Sequence, residues 1–541
     1  MRNLIQIFSA AVVALVLAAC GTSSPVSTTL GFTPPAPAGV NGPRPLTIPA
    51  LREWAPAAGA FHWTPTSRIV LGSDDARLGA DAATFADDLG ALTRTTPAVV
   101  RGGTVHPGDI ELDLQANDTQ LGSEGYRLSI GPGIVISANA PAGAFYGTRS
   151  VLQLLHQNTV IPAGIARDWP HYPERGLAID SSGSLYTAPW IEAHLREIAY
   201  LKMNTFHLHF SDTQQFSIES DTHPEIVGAQ HLSKREVADI VALADRYHID
   251  VVPEIDMPGH MAAILKAHPE FQLNNALGQT GSTGALDITN PAAVKFVQEL
   301  IGEYLPLFPG PYWMIGGDEY LPAAEVPTFP QLQTYAQAQY GANANAKDAL
   351  LGFFNRMDEF LRAHGKIARV YNDELGGGSA VALSKDVVVE WWTDFSPLSD
   401  PLPPRAPTLL DQGYTIMNIG SFPTYYNGGT EGAVIPTADP QSAYEHWEIN
   451  EFAGSCFSPG VDGNVVHCVS PDIIAADEPR NLGTKVFVWG GGESQESIAD
   501  KIYPRLRVIT QKAWDSPPLV ATYADFQPII DAIGYAPGYA P

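Results

Sequence analysis

The chain is poor in cysteine, in basic residues and in long apolar runs. Three cysteines in 541 residues rule out a disulfide framework, and none has the spacing of a zinc site. Lys and Arg total 31 against 58 Asp and Glu, a net charge of -27. That balance argues against nucleic acid and anionic membrane surfaces, which need clustered cations. The longest N-terminal apolar run, Ile5 to Ala19, is too short and poorly flanked for a durable spanning helix. What remains is an ordinary apolar fraction, 45%, and enough length for two or three domains, or one large barrel with an accessory domain.

The first residues read as an address. One Arg precedes the apolar run, which ends in Leu17-Ala18-Ala19-Cys20-Gly21. This resembles the lipobox of bacterial lipoproteins, so residues 1–20 are expected to be a signal and Cys20 to carry the lipid. Membrane contact is then expected only through that anchor, on a cell-surface or periplasm-facing protein; plain secretion is the alternative. Residues 21–50, rich in Ser, Thr, Pro and Gly, read as a tether. Cys456 and Cys468 lie in a Gly/Ser/Pro-rich stretch. In an oxidising compartment they are expected to pair and to stabilise their loop by about 3 kcal/mol.

Residues 51–166 read as a small α+β accessory domain. Arg68–Leu71 and Asp109–Leu114 predict strands, Asp75–Thr93 and Ala142–Leu155 predict helices, and Tyr126–Ile130 with Gly133–Ser137 predict a hairpin around Gly-Pro-Gly. No catalytic constellation falls here.

From residue 167 to 541, apolar strands recur between helical segments. They are Gly176–Asp180, Thr205–Phe210, Asp250–Ile255, Tyr312–Ile315, Ile367–Tyr371, Val387–Trp392, Thr415–Ile419 and Lys485–Trp489. Eight such strands predict an α/β fold, a (β/α)8 TIM barrel. Asp180, Asp212, Asp256, Asp318-Glu319, Asp373-Glu374, Trp391-Trp392, Tyr425 and Trp489 all lie at or just beyond C-terminal strand ends. In this fold that face carries the active site. Carboxylates between aromatic walls suit a sugar ring. Within Gly316-Gly317-Asp318-Glu319, paired glycines permit backbone angles that let two neighbouring acids face one cavity. Acids held so close cannot both ionise freely. Trp391 and Trp392 cannot both face inward in a regular strand. His207-Leu208-His209 places two imidazoles on one strand face, but the later strand ends offer no further paired-His set. Neither a metal nor another cofactor is expected.

These segments resemble family 20 of the glycoside hydrolases, the β-N-acetylhexosaminidases. The resemblance rests on Gly316-Gly317-Asp318-Glu319, Val252 to His260, Lys202 to His209 and Pro173 to Asp180. Later segments lie nearest its dispersin-like and lacto-N-biosidase-like branch. The resemblance implies a retaining hydrolase that uses the substrate's own 2-acetamido group as nucleophile. Its substrate would be an N-acetylhexosamine-terminated glycan. By the same resemblance Glu319 is the acid, Asp318 orients the acetamido group and Tyr425 meets its oxygen. Arg175 holds sugar hydroxyls, with Glu493 a displaced counterpart of a rim acid. Tyr371, Trp391 and Trp489 wall the pocket, and Asp180 with His260 tunes the acid. Several positions depart from the family: Met314 replaces His, Gly183-Ser184 replaces Arg-His, Phe216 replaces Trp and Gly491 replaces Glu. They point to an altered sugar preference, towards disaccharide release or polymer cleavage, or to a glycan-binding lipoprotein with impaired turnover.

Overall fold

A computed structural model describes residues 43–394, 402–430, 432, 437, 439–452 and 471–540. Cys20, Cys456 and Cys468 lie outside them. The N-terminal part is a seven-stranded sheet in the order β1-β7-β5-β6-β4-β2-β3. Its strands are β1 (Glu53–His62), β2 (Ile69–Leu71), β3 (Val99–Arg101), β4 (Ile110–Asp113), β5 (Tyr126–Ile130), β6 (Ile134–Ala138) and β7 (Val160–Asp168). Helices Ala76–Thr93 and Pro141–Gln157 accompany it. The first starts where Asp75 accepts the Leu78 N–H, and it buries Leu78, Ala82, Phe85 and Leu89, which share one face.

The remainder is a parallel barrel. Its strands are β8 (Glu174–Asp180), β9 (Thr205–His209), β12 (Asp250–Glu254), β13 (Tyr312–Met314), β14 (Ile367–Tyr371), β15 (Val388–Trp391), β16 (Thr415–Asn418) and β20 (Gly483–Trp489). Successive strands pair in parallel from β8 round to β16. β20 pairs with β8. The ring closes where Leu482 N–H donates to Ile416 O (2.9 Å) and Ile416 N–H donates to Arg480 O (2.8 Å). A short extra strand, β17 (Tyr425–Asn427), pairs with the upper end of β20. Two small ribbons complete the described strands, β10 (Phe216–Ile218) with β11 (Val227–Leu232), and β18 (Glu451–Phe452) with β19 (Asp472–Ile473). Among the described residues no helix is long and apolar enough to cross a membrane.

Strand alternation decides which side chains enter the barrel. On β8, Glu174, Ala178 and Asp180 point inward, while Leu177 and Ile179 pack in the outer core. The lower interior is charged rather than apolar. Arg369 bridges Glu174 (2.6 Å) and Glu390 (3.0 Å), and Lys485 reaches Glu390 (2.6 Å) and His207 Nδ1 (2.6 Å). Above them Glu254 lies 2.8 Å from His207 and 2.7 Å from His209. Each of these charges has an opposite or a neutral donor beside it, as burial requires.

Candidate active site

Above that ladder, at the C-terminal end of the strands, is a cavity of ≈290 Å³. Asp180, Asp212, Gln214, His260, Asp318, Glu319, Trp392, Tyr425, Asn427 and Trp489 line it. β13 ends at Met314, and Gly316 and Gly317 follow with φ of +72° and +95°. A side chain at Gly316 would collide with the Asp256 carboxylate, and one at Gly317 would press on the Phe354 ring. The turn breaks the strand's alternation, so Asp318 and Glu319 reach the same cavity. Glu319 itself sits at φ +44°, costly for a residue with a Cβ. Its N–H donates to Asp373 Oδ2 (3.0 Å), which holds the turn.

One imidazole reports on both acids. His260 Nε2 lies 3.9 Å from Asp318 Oδ2 and 3.5 Å from Glu319 Oε2. Its Nδ1 bonds Asp212 Oδ1 at 2.9 Å, and the other oxygen of Asp212 bonds His209 Nε2 at 3.3 Å. Burial disfavours charge on His260, but Asp212 and then Asp318 hold its proton affinity well above that of a free imidazole. Burial also opposes the Asp212 anion, yet His260 and His209 keep its carboxyl far below the usual carboxylate range. Asp318 goes the other way. Burial pushes it up to about 8, with His260 opposing and the Asp373, Glu319 and Glu254 charges adding to the rise. Asp373 is raised to about 6 by burial and by Glu319. Burial and mutual repulsion thus hold protons on Asp318 and Asp373 closer to neutrality than free carboxyls do.

The aromatic walls are Trp392, Trp489 and Tyr425. Trp392 Nε1 donates to Asp373 Oδ1 (3.0 Å). Trp489 stacks on Phe487 with centroids 4.7 Å apart, and Tyr425 lies 6.1 Å from Trp489. Tyr426 faces away and bonds Glu493.

Of the residues expected at the site, Asp318, Glu319, Tyr425, Asp180, His260 and Trp489 line this cavity, and four do not. Arg175 begins the barrel's first strand at its opposite end, fully buried, bonded to Glu124 of the N-terminal part (2.9 Å) and 5.2 Å from the Trp514 ring centre. Trp391 belongs to the outward-facing set. Its Nε1 donates to Pro404 O (3.2 Å) and its ring meets Phe452. The inward tryptophan is Trp392, two residues beyond inward-facing Glu390. Tyr371 lies below the floor, its hydroxyl on Glu254 (3.2 Å), among Ala178, Met314 and Met417. Glu493 opens on a neighbouring groove, with Tyr426 and Lys501. The expected Asp180–His260 pair is also corrected. The partner of His260 is Asp212, while Asp180 accepts from Ser182 N–H (2.8 Å) and Gly183 N–H (3.0 Å) in its own turn. The sequence places Asp212 and Trp392 on the active-site face without giving either a role, and it does not single out Gln214 or Asn427. Inward parity was the available signal for Trp392.

A model of the glycosyl hydrolase family 20 catalytic domain matches residues 172–517, and that of the family's domain 2 matches residues 44–169. The chain belongs to glycosyl hydrolase family 20. It is 32% identical over 512 residues to a lacto-N-biosidase of Bifidobacterium bifidum, covering 93% of this chain and 43% of that protein. It thus spans less than half the length of that relative. It is 30% identical over 421 residues to beta-hexosaminidase subunit A1 of Dictyostelium discoideum, covering 73% of this chain and 70% of that one. The fold is shared with a chitobiase of Flavobacterium johnsoniae (TM-score 0.71, 24% identity, 90% of this chain and 72% of that one). It is shared too with a mutant Streptomyces plicatus beta-hexosaminidase in complex with GlcNAc product (TM-score 0.69, 23% identity, 92% and 95%). The family 20 assignment and these folds accord with the barrel and the accessory domain that precedes it.

Proposed function

We propose that this family 20 chain is a β-N-acetylhexosaminidase that removes terminal β-linked GlcNAc or GalNAc with retention. The observation that carries the reading is one imidazole within 4 Å of two adjacent carboxylates, all three lining a cavity walled by Trp392 and Trp489. Glu319 protonates the glycosidic oxygen as that bond breaks. The 2-acetamido oxygen attacks the anomeric carbon and closes an oxazolinium ring, so no protein nucleophile is needed. Asp318 accepts the hydrogen bond of the acetamido N–H, and the positive charge growing beside it favours the ionised form that burial otherwise opposes. The Tyr425 hydroxyl meets the acetamido oxygen. Water then opens the ring, giving its proton to Glu319. His260, held by Asp212, keeps a positive charge beside both acids. Asp180, Asp212 and Gln214 are the polar groups available to sugar hydroxyls. The same proposal retains export and the lipid anchor at Cys20, supported by the Leu17–Gly21 sequence.

A second reading, release of a disaccharide, is favoured by one specific feature. Asn427 lines both the cavity and a second groove of ≈650 Å³ that holds Glu493, so room for a further sugar adjoins the first. Assay with chromogenic N-acetyl-β-glucosaminide, N-acetyl-β-galactosaminide and Gal-β1,3-GlcNAc glycosides tests both. Release from the monosaccharides that is lost in Glu319→Gln is expected. Release from the disaccharide alone selects the second reading. No release from any of them by the wild type makes the chain a glycan binder and ends both.

A further inference from the structure

Away from the cavity the chain repeats a tripeptide. His223-Pro224-Glu225 and His268-Pro269-Glu270 each enter a 3-10 turn, Pro224–Ile226 and Pro269–Phe271. The two histidines share nearly one backbone conformation, φ -134° with ψ 59° and φ -125° with ψ 62°. In each copy the imidazole Nδ1 bonds its own glutamate, at 3.0 Å and 3.2 Å. The copies also meet. His268 Nε2 lies 2.8 Å from Glu225 Oε1, the same oxygen that His223 Nδ1 contacts. Phe296 packs against both rings, with centroids 4.8 Å and 4.7 Å away, and Phe271 stacks on His268. The imidazoles are thus held at a fixed angle, 86° between planes, and are largely buried, while Glu225 is 44% exposed.

Both nitrogens of His268 face carboxylates. A neutral imidazole has one N–H and one lone pair, so one of those two contacts would set a lone pair against an anion. A second proton resolves this, and so does a cation at Nε2 with the Nδ1–H donated to Glu270. The second arrangement is the carboxylate–histidine–metal chain in which an outer acid orients a ligating ring. The ligand atoms of His223, Glu225 and His268 lie within 4.8 Å of one another, and two imidazoles with one carboxylate suit first-row transition cations over Mg²⁺ or Ca²⁺. We infer that His223, Glu225 and His268 bind a Zn²⁺-class cation, with Glu270 orienting His268. The site joins the connections that follow β9 and β12, beside the helix Pro291–Tyr304. His223 and Glu225 follow Asp212 and Gln214 in the connection after β9, and His268 follows His260 in the connection after β12. A bound ion would tie together the loops that bring Asp212 to His260.

The test is calorimetric titration of the tag-free full chain with Zn²⁺, beside Ca²⁺, with melting temperatures read at each step. Saturable Zn²⁺ binding that raises the melting temperature is expected, with no effect of Ca²⁺. His268→Gln should abolish both, and Glu270→Gln should weaken binding by about 10–100-fold. If His268→Gln does not fold, His223→Gln serves, and X-ray absorption of the wild type should show two imidazole nitrogens around zinc. No saturable binding to the wild type overturns the inference, as does undiminished binding to a folded His268→Gln or His223→Gln.

Discussion

The two ends of the barrel use charge in opposite ways. At the lower end Glu174, Arg369, Glu390 and Lys485 form a ladder in which each charge meets an opposite one. At the upper end Asp212, Asp256, Asp318, Glu319 and Asp373 crowd around His209 and His260, and burial raises the proton affinity of three of them. Balanced buried charge stabilises little but is costly to break, whereas crowded like charge costs stability and poises proton transfer. Substitutions at the lower end should therefore change folding, and those at the upper end should change turnover.

Arg369→Met tests the lower end most severely. Leaving Glu174 and Glu390 buried without their cation should cost about 3–5 kcal/mol, read from urea unfolding. The Michaelis constant of the folded fraction should not change. A changed Michaelis constant at wild-type stability would erase the distinction between the ends. Asp318→Ala tests the upper end. Turnover should fall by about 10²–10³ with no loss of folding stability, because the change removes one of the crowded acids.

Asp318→Asn makes the comparison within one residue. In the unfolded chain Asp318 loses its proton near 3.8, and in the folded chain only near about 8. The wild type should lose stability as pH rises between those values and level off above them. The amide has no such loss, so Asp318→Asn should gain stability over the wild type steadily as pH rises from 4 to 8. Equal stability profiles would deny that the crowding is costly. The smallest effect concerns the adjacent tryptophans. Trp392→Ala should lower kcat/KM roughly three- to tenfold, the worth of one ring contact. Trp391→Ala should leave kcat/KM in place and lower the melting temperature.

Much of the barrel was legible because buried parallel strands read as apolar runs, and each of the eight begins or ends within two residues of its expected span. In the N-terminal part, β1, β7 and the three-residue β3 escaped. β1 is alanine-rich and half-exposed, and β7 carries Pro162 and Gly164, so neither shows clean alternation. At the site the Gly-Gly-Asp-Glu turn was legible because two glycines before two acids restrict what the backbone can do. Arg175 was misread through its neighbours. It lies five residues before Asp180, roughly 16 Å along a strand, so both could not serve one cavity. Trp391 was chosen over Trp392 although Glu390 sets the inward parity. The His260–Asp212 bond joins two connections far apart in sequence, and no local pattern announces it.

The contacts beneath the barrel bear on how such a protein can change over time. Asp168, closing the N-terminal sheet, accepts from Tyr126 (2.6 Å), Lys202 (2.8 Å) and the Trp514 indole (2.8 Å), while Glu124 clasps Arg175. A gene fragment encoding the barrel alone would bare an unpaired lysine, an arginine and a large indole on its underside. Recombination between relatives is then expected to carry both parts as one cassette, and their pairing to be inherited rather than reassembled.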